Sequence, residues 1–518
     1  MQDTLDRLKE DQRVVFPALA RFCLGPKWNP NVEVEEREED HGILNLGRDY
    51  DTDVAFMVQK KVVLPESVTM MDDFEMVLLD GFAGTGKTTT INRLVEYCNQ
   101  YNPQIKFAMT APTNKALRIL KKSSECKVAL EFCTIHSLLG LKESRNNYTG
   151  ERTFVPDIYL NQQRIQKINV LIMDETSQMK KDIFKYLLPH LQNGLKIIFL
   201  GDDKQIPPVG EVQSVPFLVT MRRKHNIHRL TLTKIHRTAE DNPILGYAAA
   251  IRDQVDKAYV NYDLSGKDHG ETGIQLLGTN LSVLEPIFQK YFCCDEFKAD
   301  SDHMKVVCWR NSTANYFNRI IRKLVFSQNK PAKIMVGEKL IAEHSIFRWS
   351  GKGKWEISFT TNEELEVISL THSTKSVGYF VRRIDGKFDR EERTFNVYNA
   401  RVTVPGSEAK DEDIIDIIHE DSDDAYREFI QKFADDALKT KDRDERKNLW
   451  KNHYDCQKPF ADVGYNYCIT AHKAQGSSYN YVLVHEWDID ASTDYTERNR
   501  IRYVAVTRAR NKLFIVKQ

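Results

Sequence analysis

The segment Gly81-Phe82-Ala83-Gly84-Thr85-Gly86-Lys87-Thr88 constrains this chain more than any other. A short apolar strand, Met76 to Leu79, precedes it. A helix, Thr88 to Cys98, begins inside it and carries Ile91, Leu94 and Val95 on one face. Strand, glycine-rich turn and helix in that order fit a P-loop, and a chance glycine-rich turn would carry no such flanks. The glycines let backbone N–H groups point inward around a phosphate, and the helix amino terminus adds partial positive charge. Lys87 then reaches the β- and γ-phosphates, and Thr88 binds Mg²⁺ through its hydroxyl.

Strands and helices alternate from this point. Phe107-Ala108-Met109 reads as a strand, Lys115 to Leu120 as a helix, and Val170 to Met173 and Ile197 to Leu200 as further strands. That rhythm argues for a parallel sheet with helices on both faces. The same texture returns at Val306 to Trp309, with a helix at Ala314 to Val325, and at Tyr481 to Val484 and Leu513 to Val516. Between about 340 and 460 the character changes. Val367 to Leu370, Val377 to Arg382 and Thr394 to Val404 read as antiparallel strands, and a charged helical stretch runs from Asp424 to Trp450. A first helix is expected over Thr4 to Cys23, ended by Gly25-Pro26. The simplest account is two α/β domains, the second interrupted by a β-rich insert.

Two segments complete a hydrolytic site. Val170-Leu171-Ile172-Met173 ends in Asp174-Glu175, two acids at the carboxyl edge of a sheet. Asp174 is expected to hold Mg²⁺, and Glu175 to orient and deprotonate the attacking water. After Ile197 to Leu200 comes Gly201-Asp202-Asp203-Lys204-Gln205. The Gln205 amide donates and accepts at once, which suits a group that touches both γ-phosphate and water. Standing alone, that segment would read as a surface turn.

Charge limits the partners. Lysine plus arginine equals aspartate plus glutamate, 74 each, so bulk positive charge cannot be what grips a polyanion. Local patches must do so. Glu33 to Asp40 and Asp411 to Asp424 are acidic, whereas Lys115, Arg118, Lys121 and Lys122, Arg222 to Lys224, and Arg319, Arg322 and Lys323 are basic. Each basic cluster fits a phosphate patch or a solvated face equally well. The nine cysteines are scattered and none forms a C-x-x-C pair, which suggests reduced thiols and excludes a zinc knuckle. No apolar run reaches roughly 18 residues, so no membrane span is expected. Met1-Gln2-Asp3-Thr4-Leu5 lacks a basic-then-apolar start, so no secretory signal is expected either.

With these segments in place, the chain resembles the superfamily 1 helicases, above all the Dda-like phage helicases and their RecD-like relatives, the branch that moves 5′ to 3′. Leu8-Lys9-Glu10-Asp11-Gln12 resembles the Q motif, and Thr110-Ala111-Pro112-Thr113-Asn114-Lys115-Ala116 resembles motif Ia. Thr134-Ile135-His136-Ser137 resembles motif Ib, and Leu232-Thr233-Lys234-Ile235-His236-Arg237 resembles motif IV. Ile469-Thr470-Ala471-His472-Lys473-Ala474-Gln475-Gly476 resembles motif V, and Tyr503-Val504-Ala505-Val506-Thr507-Arg508 resembles motif VI. All stand in the family's order.

The resemblance implies two RecA-like P-loop parallel-sheet domains, with a β-hairpin insert in the first and an SH3-like β-rich insert in the second. The expected limits are 1–235 for the first domain, 236–345 and 463–518 for the second, and 346–462 for the insert. The hairpin pin is expected at about 140–165, with a further insertion at about 30–70. The implied nucleotide contacts are Gln12 on adenine, Gly81, Ala83, Gly84, Thr85, Gly86, Lys87, Thr88 and Thr89 on the phosphates, and His236 and Gly476 beside them. Arg237 and Arg508 resemble the family's arginine fingers, which stabilise charge on the γ-phosphate and link cleft closure to its presence. Pro112, Thr113, Asn114, His136, Thr470 and His472 are the implied contacts to sugar and phosphate. Neither His136 nor His472 has a partner at metal-ligand spacing. Tyr148 or Phe154 is expected to stack on the base pair at a fork.

The sequence departs from the family in two places. His236 stands where an aromatic often precedes the motif IV arginine, and Gln12 lies 69 positions before Gly81. The expected activity is an ATP-dependent, Mg²⁺-requiring DNA helicase acting on single-stranded and forked DNA. A single-strand-binding or replication protein is a further partner, and the implied setting is a monomer in the cytoplasm of a bacterial or phage-infected cell. The residues themselves fit a motor on RNA as well as one on DNA. They also leave room for a nucleotide-gated clamp that binds without unwinding.

Overall fold

The protein is described by a computed structural model over residues 2–28, 68, 70–82, 84–124, 128, 130–145, 152–157, 163–234, 242–351, 353–383, 385–406 and 412–517. Ala83, Tyr148, His236, Arg237 and nearly all of the insertion expected at about 30–70 lie outside the described residues.

The first part of the chain contributes β1 (Met76–Gly81), β2 (Phe107–Ala111), β3 (Glu131–Thr134), β4 (Leu141–Arg145), β5 (Arg152–Pro156), β6 (Val170–Met173), β7 (Lys196–Gly201) and β8 (Ile227–Leu232). Strands β4 and β5 form an antiparallel hairpin apart from the rest. The other six make one parallel sheet in the order β3-β2-β6-β7-β1-β8. Strands β1, β2 and β6 are buried along their whole length, as continuous apolar runs covered by helices on both faces should be. The order brings the carboxyl ends of β6, β7 and β1 side by side, with Leu79 opposite Leu200 and Met173 opposite Phe199.

The remainder adds β9 (Gly273–Leu277), β10 (Met304–Cys308), β11 (Lys339–Ala342), β12 (Ile346–Trp349), β13 (Trp355–Phe359), β14 (Glu364–Arg382), β15 (Phe388–Thr403), β16 (Glu412–Ile418), β17 (Val463–Tyr465), β18 (Cys468–Thr470), β19 (Tyr479–His485) and β20 (Ala509–Val516). A second parallel sheet runs β18-β10-β19-β20-β9. A third, antiparallel, runs β16-β15-β14-β11-β17 and has its own core around Leu340, Leu365, Tyr398, Ala400 and Val402. The fold is therefore α/β, with two parallel-sheet domains and inserted β structure. Strands β11 and β17 lie just outside the insert limits read from sequence, 346 and 462, yet both belong to the antiparallel sheet.

Three elements differ from the sequence reading. The first helix is two, Gln2–Asp6 and Glu10–Leu24, because Lys9 is extended and the Gln12 side chain caps its N–H at 3.0 Å. The strands expected at Val367 to Leu370 and Val377 to Arg382 are one strand of 19 residues, β14, carried through its polar middle by pairing with β15. The charged helical stretch is a helix pair, Glu420–Lys439 and Arg443–Asp455. It breaks where the Asp442 carboxylate caps the N–H groups of Asp444 and Glu445.

The three sheets meet at Lys115, on the helix Asn114–Ser123 that follows β2. Its ammonium lies 2.6 Å from Glu364 at the start of β14, 3.2 Å from Asp302 just before β10, and over the ring of Tyr479 at the start of β19. One turn on, Arg118 meets Glu363 at 2.5 Å, and Lys122 donates to the Gly406 carbonyl at 3.1 Å. Lys115, Arg118 and Lys122 of this basic cluster thus join domains, while Lys121 is exposed. Arg322 is likewise internal, paired with buried Glu338 at 2.6 Å. The acidic run near 412–424 is also largely spent inside the insert, Glu412 on Arg401, Asp416 on Lys375 and Asp423 on Lys333.

Burial opposes charge at Glu364, yet the ammoniums of Lys115 and Lys305 outweigh it and hold the carboxyl below its ordinary range. A depressed carboxyl stabilises the fold above its ordinary pKa of 4.5, and that contribution is lost as pH falls through the lower folded value. Glu364→Gln should cost about 1–3 kcal/mol, because it leaves Lys115 with Asp302 as its one carboxylate partner. Thermal unfolding followed from pH 7 down to pH 3 should show a lower melting temperature for the variant at neutral pH and convergence with the parent in acid.

Candidate active site and nucleic-acid groove

The P-loop leaves β1 and turns into the helix Lys87–Tyr101. Gly86 has φ +79°, and a side chain there would collide with the amide nitrogen of Gln12. Gln12 itself is buried. Its Nε2 donates to the Thr85 carbonyl at 3.0 Å while its Oε1 accepts from Lys9 N. The structure therefore places Gln12 as a brace under the loop, with one bond to backbone at each end of its amide. Lys87 Nζ donates to the carbonyls of Gly81 and Phe82 at 2.6 and 2.9 Å. Thr85 is buried and donates to the Phe82 carbonyl, Thr88 is half-buried on the first helical turn, and Thr89 is exposed.

Asp174 and Glu175 leave β6 beside this loop. Asp174 N is tied to the Thr110 carbonyl at 2.8 Å, and Asp174 Oδ1 accepts from Glu175 N at 2.9 Å. Glu175 sits at φ +50°, a left-handed conformation uncommon for a side chain of its size and of the kind held at working sites. Burial pushes both carboxyls above their ordinary range. Asp174 adds to the rise at Glu175, and the Arg508 and Lys87 cations work against it. A carboxylate held closer to neutrality is a better proton acceptor than an exposed one. Hard oxygen donors on Thr88 and Asp174 at the mouth of the loop suit Mg²⁺.

The second parallel sheet faces this edge. Arg508 is buried, with its guanidinium held by the carbonyls of Val504 and Ser477 at 2.9 and 2.8 Å and by Thr507 Oγ1 at 2.9 Å. Gly476 has φ +78°, and a Cβ there would lie 3.9 Å from Glu175 Cγ. Gln475 Nε2 crosses the cleft to Gln205 Oε1 at 3.0 Å and Ser177 Oγ at 3.2 Å. Lys87, Asp174, Glu175, Gln205, Gly476 and Arg508 thus come together.

Two cross-cleft contacts were not singled out from sequence. One is the Gln475 amide, which lay unmarked inside a quoted motif. The other is Arg252, on the helix Pro243–Asp253. Its guanidinium stacks 3.6 Å over the Phe82 ring of the P-loop and lies 3.5 Å from both Asp202 and Asp203. Tyr503 OH adds a 2.5 Å bond to Asp202. Asp80, Asp202 and Asp203 form a carboxylate cluster, but Arg229, Arg252 and Lys204 set three cations against it and Tyr503 donates a hydrogen bond to Asp202.

The expected nucleic-acid contacts divide. Pro112, Thr113, Asn114, His136 and Phe154 line one groove of about 1580 Å³ between the first sheet, the β4–β5 hairpin and the insert. Thr470 and His472 do not line it; they stand at the carboxyl end of β18, Thr470 buried and His472 half-buried. Burial lowers the pKa of His136 and of His472, which keeps both rings neutral near pH 7. Phe154 is opposite Glu143, two pairs back from the hairpin end, and its ring packs on His136 at 4.3 Å. It is therefore part of the groove wall beside motif Ib.

Residues 66–211 match an AAA domain family, and residues 465–516 match the UvrD-like helicase C-terminal domain. The chain is 27% identical over 450 residues to the ATP-dependent DNA helicase dda of Enterobacteria phage T4, covering 85% of this chain and 94% of that protein. It is 22% identical over 475 residues to the RecBCD enzyme subunit RecD of Buchnera aphidicola, covering 85% and 70%. Among solved structures, it is similar to the Pif1 helicase from Bacteroides in complex with ADP-AlF3 and ssDNA. The TM-score is 0.40 at 16% identity, over 86% of this chain and 89% of that one.

Gln475→Ala removes a cross-cleft donor without touching the P-loop. It should lower the maximal ATPase rate about tenfold, the order expected from losing about 1.4 kcal/mol of positioning, with little change in the KM for ATP. Arg252→Ala should raise that KM instead, because it uncovers Phe82. Steady-state ATPase titrations of the two variants check both outcomes.

Proposed function

We propose that the chain is an ATP-dependent DNA helicase of superfamily 1, of the Dda- and RecD-like group, which moves 5′ to 3′ along single-stranded DNA and unwinds duplexes ahead of it. The observation that carries the reading is the cleft itself. Groups from both parallel sheets converge on Glu175, with Gln205 and Gln475 joined at 3.0 Å across the gap.

In this reading the P-loop amides and Lys87 hold the triphosphate, and Thr88 and Asp174 hold Mg²⁺, which offsets phosphate charge when bound. Glu175 orients a water toward the γ-phosphate and takes its proton. Its αL backbone and its burial against Asp174 aim the carboxylate and raise its basicity. Arg508 stabilises charge that develops on the phosphate. Its guanidinium is already fixed by three bonds, so little reorganisation is needed. Arg237 is the second proposed cation.

Motion follows from the same contacts. Gln475 and Gly476 follow β18 by a short helix that also carries His472, and Asn114 opens the helix that carries Lys115. Nucleotide contacts and strand contacts therefore share short rigid segments. Loss of the γ-phosphate weakens the bridge across the cleft, the sheets part, and grip passes from one to the other. The polarity rests on the likeness of the motif set to the 5′-to-3′ branch. Single-stranded and forked DNA are the proposed partners.

Glu175→Gln should bind ATP as the parent does and hydrolyse it at least a hundredfold more slowly, the usual scale for a lost general base. A nucleotide-binding titration beside a single-strand-stimulated ATPase assay checks this; hydrolysis at the parental rate would remove Glu175 from the mechanism. Strand displacement with matched tailed duplexes checks direction. Unwinding is expected from a 5′ tail, and unwinding from a 3′ tail alone would overturn the polarity.

A further inference from the structure

The groove beneath the insert has a wall that no helicase motif accounts for. Its floor carries Pro112, Thr113, Asn114 and His136. Its far side is formed by the β12–β13 hairpin and by the helix Arg443–Asp455, the second of the helix pair packed on the β14–β15 ribbon. On that helix Lys447 and Lys451 are four residues apart and so share a face. Both are exposed, both line the groove, and neither is paired with a carboxylate among the described residues. Lys458 lines it a little further on and is paired with Asp455 at 2.7 Å.

The helix is held firmly behind this face. Trp450 is buried, and Asn448 and Asn452 donate to the Phe380 carbonyl of β14 at 2.9 and 2.6 Å. Asn452 Oδ1 accepts from Phe380 N at 3.0 Å. The helix backbone that carries both lysines is therefore held in place beside the groove, and the Lys451 ammonium also lies over the exposed Phe380 ring at 5.6 Å.

Local charge points to the occupant. Lys142, Arg164, Lys447, Lys451 and Lys458 line the groove; Lys142, Arg164 and Lys458 are paired with Asp157, Glu131 and Asp455, which leaves Lys447 and Lys451 as its cations without a carboxylate among the described residues, in a chain whose net charge is zero. Aromatic rings stand among these cations, Phe154 and His136 on one side and Trp355 and Tyr454 on the other. Cations interleaved with rings are what a single strand needs, phosphates on one set and bases on the other. We propose that the helix Arg443–Asp455 is a second strand-binding element, with Lys447 and Lys451 contacting successive phosphates of a strand that lies on Pro112, Thr113, Asn114 and His136. The inference rests on the helicase reading, because it takes the floor to be a strand-binding surface.

Charge counting tests it. Each phosphate contact on a single strand contributes about 0.7 to the slope of log Kd against log salt. The K447A/K451A variant, titrated with a fluorescent oligothymidylate over a series of salt concentrations, should lose about 1.4 from that slope and bind about tenfold more weakly at low salt. The K447R/K451R variant should keep the parental slope, and thermal unfolding should stay close to the parent for both, since neither lysine has a carboxylate partner and Lys451 has only an exposed contact of its ammonium over the Phe380 ring at 5.6 Å to lose. A parental slope in K447A/K451A overturns the proposal and leaves the lysine face to an acidic protein partner. If the parent itself neither binds the oligomer nor hydrolyses ATP faster in its presence, the helicase reading falls and this inference with it.

Discussion

The arrangement of the molecule depends on one buried cation. Lys115 belongs to the first parallel sheet by its helix, to the insert by Glu364, and to the second sheet by Asp302 and the Tyr479 ring. Burying an ammonium is expensive, and a single partner seldom offsets the lost hydration. Here two carboxylates and an aromatic face share the work, and Lys305, also buried, is satisfied separately by the Asn466 carbonyl at 2.6 Å. Because no surface chain could replace this network, the three sheets meet in a defined way. The same helix opens with Asn114 on the groove floor, so the geometry of the floor is set at that junction.

The cleft depends on the junction in turn. Ala116, next to Lys115, lies beneath Gly476, and Gly476 lies against Glu175. A short path of packed atoms therefore runs from the insert, through the floor helix, to the Glu175 carboxylate. Arg252 and Tyr503 make a second path, from the second sheet onto Asp202 and the P-loop ring of Phe82. Each path consists of contacts that can be made or broken as units, which is what coupling between distant sites requires.

How much of this was legible in sequence varied with the range of the interaction. The strand before the P-loop, the loop and the helix after it were legible because each has a local signature: an apolar run, glycines, and a 3.6-residue period. The alternating α/β architecture was legible for the same reason. The break before Glu10 was not, because Leu5 and Leu8 continue the helical period, and the extended Lys9 whose N–H is capped by the Gln12 side chain shows only in the structure. Strand β14 read as two because Thr371 to Ser376 is polar and mostly exposed, and the partner strand β15 supplies the continuity. The basic cluster from Lys115 to Lys122 resembled a phosphate patch because its acidic partners lie more than 180 positions away. Arg252 and Gln475 were missed on the same grounds. Their chemistry exists only across a cleft, and nothing within a few residues of either announces it.

The contrast between a neutral chain and a cationic groove has a consequence for how a strand is found. A protein with large net positive charge draws polyanions from afar and dwells on any duplex it meets. This one has no net charge to project, three of the five cations at the groove are paired with carboxylates, and the field of the others fades over about 8–10 Å at physiological salt. Its capture radius is therefore short. Encounters with a polyanion begin only when it already touches the mouth of the groove, so contact comes before attraction rather than after it.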